Sequence, residues 1–263
     1  MKVQLIAKEP KLVFLIEGIN STMANTLRRT AEEVPILAID TVELIRNDSA
    51  LYDEVLAHRL GLLPLKMEKT FTPIEECTCK GKGCAKCTAS LSLKAIGPCT
   101  IYSKDLKGKV NVIYRDMPIV ILQKGQELEL IAEARLGKGN IHAKFSPGLV
   151  YYRQYPILDF KECNLCGACV DACPQKILNI DEQKKKVAVT DILKCNLCGA
   201  CAEVCETKGK SAIKVSASED NFIFTIESWG QLSPREIFIE ITKALSKNLK
   251  QLSAQISKIS KIE

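Results

Sequence analysis

Residues 23 to 65 of the chain read MANTLRRTAEEVPILAIDTVELIRNDSALYDEVLAHRLGLLPL. Apolar residues recur in the first part of this stretch at spacings of three and four, which is the period of one helix face; they are Met23, Ala24, Leu27, Ala31 and Val34. We therefore predict a helix that begins after a cap at Asn20 or Ser21. Arg28 and Arg29 lie beside the apolar stripe.

The residues that follow predict strands around one further short helix. Pro35 ends the first helix, because the residue before a proline avoids the helical region. Residues 35–47 then predict a strand, and residues 53–60 (DEVLAHRL) predict a short helix. Further runs separated by turn residues predict strands; they are KLVFLIEG near the start, LSLKAIG, CTIYS, VNVIY, PIVILQ, LELIAEARL and GLVYYRQY between about 90 and 155, and NFIFTIESWG after residue 220. The fold class is therefore α+β.

The C-terminal segment predicts a long amphipathic helix. Ser233 precedes Pro234, and Glu236 follows three positions after the serine, which is the pattern of a capping box. An apolar stripe then advances in steps of three and four; its members are Phe238, Ile241, Leu245, Leu249, Leu252, Ile256 and Ile259. Such a stripe packs either against the chain's own core or against a helix of a partner.

Two cysteine runs predict iron–sulfur clusters. Residues 163–174 read CNLCGACVDACP and residues 195–206 read CNLCGACAEVCE, each with the spacing C-x2-C-x2-C-x3-C. In two-cluster ferredoxins the fourth cysteine of each run ligates the other cluster. This rule gives a first set of Cys163, Cys166, Cys169 and Cys205 and a second set of Cys173, Cys195, Cys198 and Cys201. The alternatives are two zinc sites or a decayed cassette.

The two runs differ in one respect. Pro174 follows the first run, whereas Glu206 follows the second. The thiol of Cys205 is therefore expected to be held less rigidly. If one cluster is missing, we expect it to be the cluster that Cys205 closes.

A third cysteine cluster has a different spacing. Residues 77–87 read CTCKGKGCAKC, which is C-x1-C-x4-C-x2-C. Two close thiol pairs on a glycine- and lysine-rich loop are typical of tetrahedral zinc, with the ligands Cys77, Cys79, Cys84 and Cys87. Two disulfides or an empty thiol loop are the alternatives. Cys99 is left over and is expected to be a small buried apolar residue.

Composition narrows the class of protein. The chain has 263 residues and a formal net charge of +6, which allows an acidic partner but does not predict strong direct DNA binding. No run approaches the roughly 18 apolar residues of a membrane span, and the first residues lack a signal-peptide pattern, so a cytoplasmic protein is expected. We find no phosphate-binding loop, dinucleotide fingerprint or polymerase-type acidic triplet.

Taken in order, the segments resemble a known family. Residues 23–65, the loop at 77–87, HAKFSPGLVYY at 142–152, the ferredoxin-like insert and the C-terminal helix together resemble the Rpo3 family, the alpha-like subunits of archaeal RNA polymerases. That family is similar to the N-terminal domain of the bacterial alpha subunit and to the third-largest subunit of eukaryotic RNA polymerase II. The resemblance covers essentially the whole chain.

The resemblance implies three domains and a set of partners. Residues 1–40 and 218–263 would form a discontinuous dimerisation domain, residues 41–155 an inserted β-rich domain, and residues 156–217 a ferredoxin-like domain with two [4Fe-4S] clusters. The family pairs with subunit L through the dimerisation domain, and its further contacts are to subunits N and P and to the second-largest subunit. We expect the interface with L to involve the two amphipathic helices, through Met23, Leu27, Arg28, Arg29, Phe238, Ile241, Leu245, Leu249 and Leu252.

The expected function is therefore assembly rather than catalysis. The active site of the polymerase would lie in other chains, and the clusters would be structural or redox-responsive elements. Asp53, Glu54, His58 and Arg59, with the GLLPL segment, would help to dock a large subunit. The alternative is a ferredoxin-type electron-transfer protein.

Overall fold

The computed structural model describes residues 1–67, 71–161, 163–181, 183, 185–207 and 212–259. Its strands are β1 (Lys2–Ala7), β2 (Leu12–Glu17), β3 (Ile36–Asn47), β4 (Thr88–Ile96), β5 (Cys99–Tyr102), β6 (Lys107–Gly108), β7 (Pro118–Leu122), β8 (Glu127–Gly137), β9 (Gly148–Phe160), β10 (Leu178–Asp181), β11 (Lys186–Val189) and β12 (Ile213–Ser228). Its α-helices are α1 (Ser21–Thr30), α2 (Asp53–Gly61), α3 (Ala168–Ala172), α4 (Ala200–Thr207) and α5 (Pro234–Ile259). Within these described ranges, no helix combines the length and the apolar character that a bilayer crossing needs.

The chain divides into two compact units. The first comprises Met1–Ala7, Val13–Asn25 and Tyr152–Phe224. The second comprises Lys8–Leu12, Thr26–Tyr151 and Thr225–Glu263.

The first unit contains aromatic residues packed on a sheet and a small cysteine-rich subdomain. A four-stranded sheet has the order β1-β2-β12-β9, and the rings of Phe14 and Phe224 stack with their centroids 5.6 Å apart. Tyr152 places the edge of its ring against Phe222 at 5.5 Å. The subdomain pairs the antiparallel strands β10 and β11 and packs α3 against α4. Ile177 and Leu178 form its apolar core together with five of the cluster cysteines.

The second unit is built around a sheet of order β3-β8-β4-β6, in which β8 pairs antiparallel with β3 and β4. Alternate side chains of β8 are buried, as expected for a strand with one face on the core; they are Leu128, Leu130, Ala132, Ala134 and Leu136. Helix α2 packs on β3 and buries Leu56 and Leu60 completely.

Both helix starts that the sequence predicts are confirmed. The Asn20 side chain accepts a hydrogen bond of 2.9 Å from the Met23 N–H at the start of α1. At α5, the Ser233 N–H donates to the Glu236 carboxylate at 2.9 Å, and the Glu236 N–H donates to the Ser233 hydroxyl at 3.3 Å. This reciprocal pair is the predicted capping box.

Four expectations from the sequence need correction. VNVIY is not a strand, and Val112 forms a single antiparallel bridge to Leu65. The N-terminal residues form β1, for which no strand was predicted, and β12 begins at Ile213, well before NFIFTIESWG. Cys99 is exposed rather than buried, because β5 belongs to a two-stranded sheet with β7 and leaves that side chain in solvent.

Candidate metal centres and partner surface

The four thiols of the 77–87 loop lie close together. Their sulfur atoms are all within 4.8 Å of one another, with 3.6 Å between Cys77 and Cys84, 3.6 Å between Cys79 and Cys87, and 3.8 Å between Cys84 and Cys87. A disulfide needs about 2.05 Å. Ligands about 2.3 Å from a zinc ion at the centre of a tetrahedron are separated by about 3.8 Å. The donor set therefore fits a mononuclear tetrahedral metal.

The loop backbone and its thiols also favour a cation. Lys80, Gly81 and Gly83 adopt left-handed backbone angles, and the Cys84 N–H points at the Cys87 sulfur at 3.3 Å. Burial alone would raise the pKa of the Cys79 thiol, but hydrogen bonds from neighbouring thiols and glycine N–H groups lower that pKa to about 7. Burial raises the pKa of the Cys87 thiol to about 12. Metal binding would therefore have to deprotonate the Cys87 thiol, because a cysteine binds a metal as the thiolate.

The two ferredoxin-like runs fold as a matched pair of turns. Gly167 and Gly199 have φ values of +75° and +78°, in the left-handed region that glycine adopts without strain. Leu165 and Leu197 occupy the same region at φ +62° and +60°. Each turn then leads into a helix, α3 or α4. The equal geometry indicates that both runs present their thiols in the same way.

Electrostatic interactions link members within each of the two predicted cysteine sets. Burial raises the pKa of the Cys169 thiol, and the charges of Cys163, Cys166 and Cys205 raise it further. These four are the first set, so Cys205 of the second run lies near the thiols of the first. Burial likewise raises the pKa of Cys201, with a further contribution from two members of the second set, Cys173 and Cys195.

A cavity adjoins the second set. All four of its thiols, Cys173, Cys195, Cys198 and Cys201, line this cavity, and the rest of the wall is largely apolar. The apolar lining comes from Leu158, Ile177, Leu178 and Val215. Four cysteine sulfurs around a largely apolar cavity match the ligand environment of an iron–sulfur cluster. The residues present therefore fit that group.

The first and last parts of helix α5 differ in their burial. Ile237 and Ile241 are fully buried in the chain's own core, and Phe238 and Leu245 are half-buried. Lys247 and Asn248 then bind Glu76 and Glu33, each at 2.7 Å. Beyond this point the helix has no packed face, since every residue from 246 to 259 is exposed. The apolar residues of this part are Leu249 at 58%, Leu252 at 53%, Ile256 at 57% and Ile259 at 67% exposure, and we call them the distal stripe.

The predicted interface residues of α1 are divided between interior and surface. Leu27 is buried, as Ile241 is, so neither side chain has much free area for a partner. Met23 is exposed, as are Arg28 and Arg29. In α1, Met23 is therefore the one member of the predicted stripe that reaches the surface, whereas in α5 the first part of the stripe packs within the chain and the distal stripe is exposed.

The residues predicted to dock a large subunit lie on α2. Asp53, Glu54 and Arg59 are exposed, and Asp53 accepts a hydrogen bond from Asn47 at 2.8 Å. Arg59 donates to the Pro118 carbonyl at 2.9 Å. Exposed apolar residues flank this charged face, namely Tyr52, Val55 and Leu62. Sequence reasoning missed Tyr52 and Val55, although their helical spacing around Asp53 was a usable signal, whereas Leu62 belongs to the GLLPL segment that it named.

Comparison with known proteins identifies the family. Residues 34–149 match the family described as the RNA polymerase Rpb3/RpoA insert domain, and residues 162–208 match the 4Fe-4S dicluster domain, which supports iron–sulfur binding. The chain is 41% identical to DNA-directed RNA polymerase subunit Rpo3 of Methanothermobacter thermautotrophicus, over 93% of this chain and 94% of that one. It is 38% identical to the Archaeoglobus fulgidus subunit over 96% of each chain, and 34% identical to the Pyrococcus furiosus subunit over 98% of each. The chain belongs to the archaeal DNA-directed RNA polymerase subunit Rpo3 family.

Proposed function

We propose that this chain is a non-catalytic assembly subunit of a DNA-directed RNA polymerase and works in the cytoplasm. Its first partner would be subunit L, with further contacts to subunits N and P and to the second-largest subunit. The nucleotidyl-transfer site would lie in other chains. The names of the relatives and the match to the Rpb3/RpoA insert domain support this proposal.

The observation that carries the proposal is the distal stripe of α5. Four large aliphatic side chains there are more than half exposed on a helix that continues past its last contacts with the chain. Isolated helical segments of this length are marginal in water, and most helical stability comes from packing an apolar face. A partner helix along the stripe would supply that packing. Met23, Arg28 and Arg29 of α1 would add to the interface.

We further propose that the chain holds three metal centres. The first and second sets would each bind one [4Fe-4S] cluster, and the four thiols of the 77–87 loop would bind one zinc ion. The grouping of the thiols, the cavity at the second set and the sulfur separations in the loop support these assignments. Metal ligation would stabilise a ferredoxin-like insert whose core is small.

The domain boundaries form part of the same proposal. A dimerisation domain of residues 1–40 and 218–263 would carry an inserted β-rich domain, residues 41–155, and the ferredoxin-like domain, residues 156–217. The family matches at 34–149 and 162–208 support the two insertions.

The direct test is assembly with subunit L. The purified full chain, kept anaerobic, is mixed with subunit L and analysed by size-exclusion chromatography with light scattering. We expect a one-to-one complex whose mass is the sum of the two chains. Separate elution of both chains at tens of micromolar concentration would contradict the proposal.

Electron transfer is the second candidate, and the exposure of Cys166 and Cys198 favours it, because one corner of each cluster would lie near solvent. In that case reduced protein would pass electrons to a redox partner at a rate independent of subunit L. A stable complex with L, and no enzyme that accepts its electrons, would favour assembly.

A further inference from the structure

Arg153 makes a two-pronged contact with the loop that begins the second cysteine run. This residue lies half-buried on β9. One guanidinium nitrogen, Nη2, donates to the Leu193 carbonyl oxygen, and the other, Nη1, donates to the Cys195 carbonyl oxygen. Cys195 is the first thiol of the run and a member of the second set. Arg153 therefore hydrogen-bonds to the backbone of Cys195, a proposed cluster ligand that lies 42 positions further along the chain.

The local backbone explains why an arginine suits this place. Residues Ile192–Lys194 form a 3-10 turn that the Asp191 side chain caps, through a bond of 3.1 Å from the Leu193 N–H. The Cys195 N–H closes the turn on the Ile192 carbonyl at 3.1 Å. Carbonyl groups at the end of such a turn have no partner within it. The planar fork of an arginine satisfies two of them at once, and its charge does not depend on pH in the physiological range.

We propose that Arg153 is a positioning residue for the iron–sulfur cluster of the second set. It holds the backbone of Cys195 in the conformation that ligates, and it fixes a positive charge beside that cluster. This inference rests on the proposed iron–sulfur function of the second set. It is independent of the assembly role, so the two can fail separately.

The fixed charge has a consequence for redox behaviour. One-electron reduction of a cluster adds negative charge, and a nearby cation in a partly dry site stabilises the reduced form. Arg153 therefore raises the reduction potential of the second cluster. Removal of the charge should lower that potential. Removal of the two guanidinium hydrogen bonds should make the backbone at Leu193 and Cys195 less rigid and lower the cluster occupancy.

The test uses the full chain, purified anaerobically, in four forms: the natural sequence, Arg153→Gln, Arg153→Lys and the control Lys194→Gln. Lys194 belongs to the same turn, but its exposed ammonium pairs with Asp191 at 3.6 Å. Iron and sulfide content report occupancy. A dithionite titration followed by electron paramagnetic resonance reports the midpoint potential of each cluster.

We expect Arg153→Gln to shift the reduction equilibrium of one cluster at least tenfold toward the oxidised form, which is about 59 mV for one electron. Arg153→Lys keeps the positive charge but lacks the two guanidinium donors. Its cluster should therefore have a reduction potential close to that of the natural sequence, and the protein should contain less iron. Lys194→Gln should match the natural sequence, because water and salt screen an exposed charge.

Unchanged potentials and iron content in Arg153→Gln would overturn the inference, as would an equal shift in Lys194→Gln. A natural-sequence protein that takes up no iron would overturn both this inference and the assignment of the cysteine sets. If Arg153→Gln does not fold, Arg153→Lys decides the matter through its iron content. A complex with subunit L formed under those conditions would leave the assembly proposal standing.

Discussion

Truncating the distal stripe should weaken binding to subunit L without unfolding the chain. Leu249 and Leu252 are 58% and 53% exposed in the isolated chain, so just over half of each side chain remains to be buried by a partner. A Leu→Ala change removes the equivalent of three methylene groups, about 2.4 kcal/mol for complete burial, and therefore about 1.3 kcal/mol for the remaining half. The double variant Leu249→Ala/Leu252→Ala should lose about 2.6 kcal/mol of binding free energy, which is roughly 50- to 100-fold in Kd.

The assay is isothermal titration calorimetry of the full chain with subunit L, with chemical unfolding of the isolated chain measured in parallel. The double variant should unfold within about 1 kcal/mol of the natural sequence, because both leucines face solvent and alanine is a good helix former. Ser253→Ala on the same exposed segment is the matched control and should change neither measurement.

Truncation of a buried residue of α5 should instead lower the stability of the isolated chain. Ile241 is fully buried in the isolated chain, so Ile241→Ala should cost about 2–5 kcal/mol of unfolding free energy. Binding of L by the double leucine variant as tight as that of the natural sequence would contradict a partner surface at the distal stripe. A loss of stability in that variant as large as in Ile241→Ala would contradict it equally.

Three further predictions concern the metal sites and one partly buried group of ion pairs. Cys84→Ser should reduce zinc from about one ion per chain to near zero by elemental analysis, because three thiols cannot complete the tetrahedron, whereas Cys99→Ser should leave zinc unchanged. Cys205→Ala should remove about half of the iron and sulfide of anaerobically purified protein, because that thiol closes the first set; full iron content would contradict the cross-ligation. Burial alone would raise the pKa of the Asp40 carboxyl, but Lys144 at 2.7 Å and Arg135 at 2.6 Å outweigh burial and hold the pKa below its usual value. The pair therefore stabilises the fold above the ordinary aspartate pKa of about 3.9, and that contribution is lost as the pH falls through the lowered value. Asp40→Asn should cost about 1–3 kcal/mol at neutral pH and flatten the acid side of the stability profile; an unchanged profile would contradict the ion-pair account.

Features encoded by neighbouring residues were the ones that the sequence could predict. The capping box of Ser233 and Glu236 needs four consecutive residues, and it forms as expected. The repeated CNLCG turn likewise has the same backbone in both copies, with a left-handed angle at Gly167 and Gly199. The same repeat could have indicated the strained angles at Leu165 and Leu197, since both copies carry leucine there.

Features that depend on residues far apart in the chain could not be predicted from the sequence. The stripe of α5 has one period along its whole length, and periodicity cannot tell which turns pack on the chain's own core. The distal stripe begins just after the turn of α5 that contacts Glu33 and Glu76, which are far away in sequence. VNVIY has the composition of a strand, yet within the described residues it is not assigned to a strand and makes an isolated β-bridge at Val112. Arg153 carries no local signal at all, because its acceptors lie 40 and 42 positions further along the chain.

We propose that this chain helps to build a polymerase rather than to carry electrons. Affinity purification of the tagged full chain from the cells that make it, under anaerobic conditions and with quantitative mass spectrometry of the retained proteins, distinguishes the two roles. We predict subunit L and the large polymerase subunits in amounts equal to the tagged chain. Recovery of a redox enzyme in such amounts, with no polymerase subunits, would contradict the account.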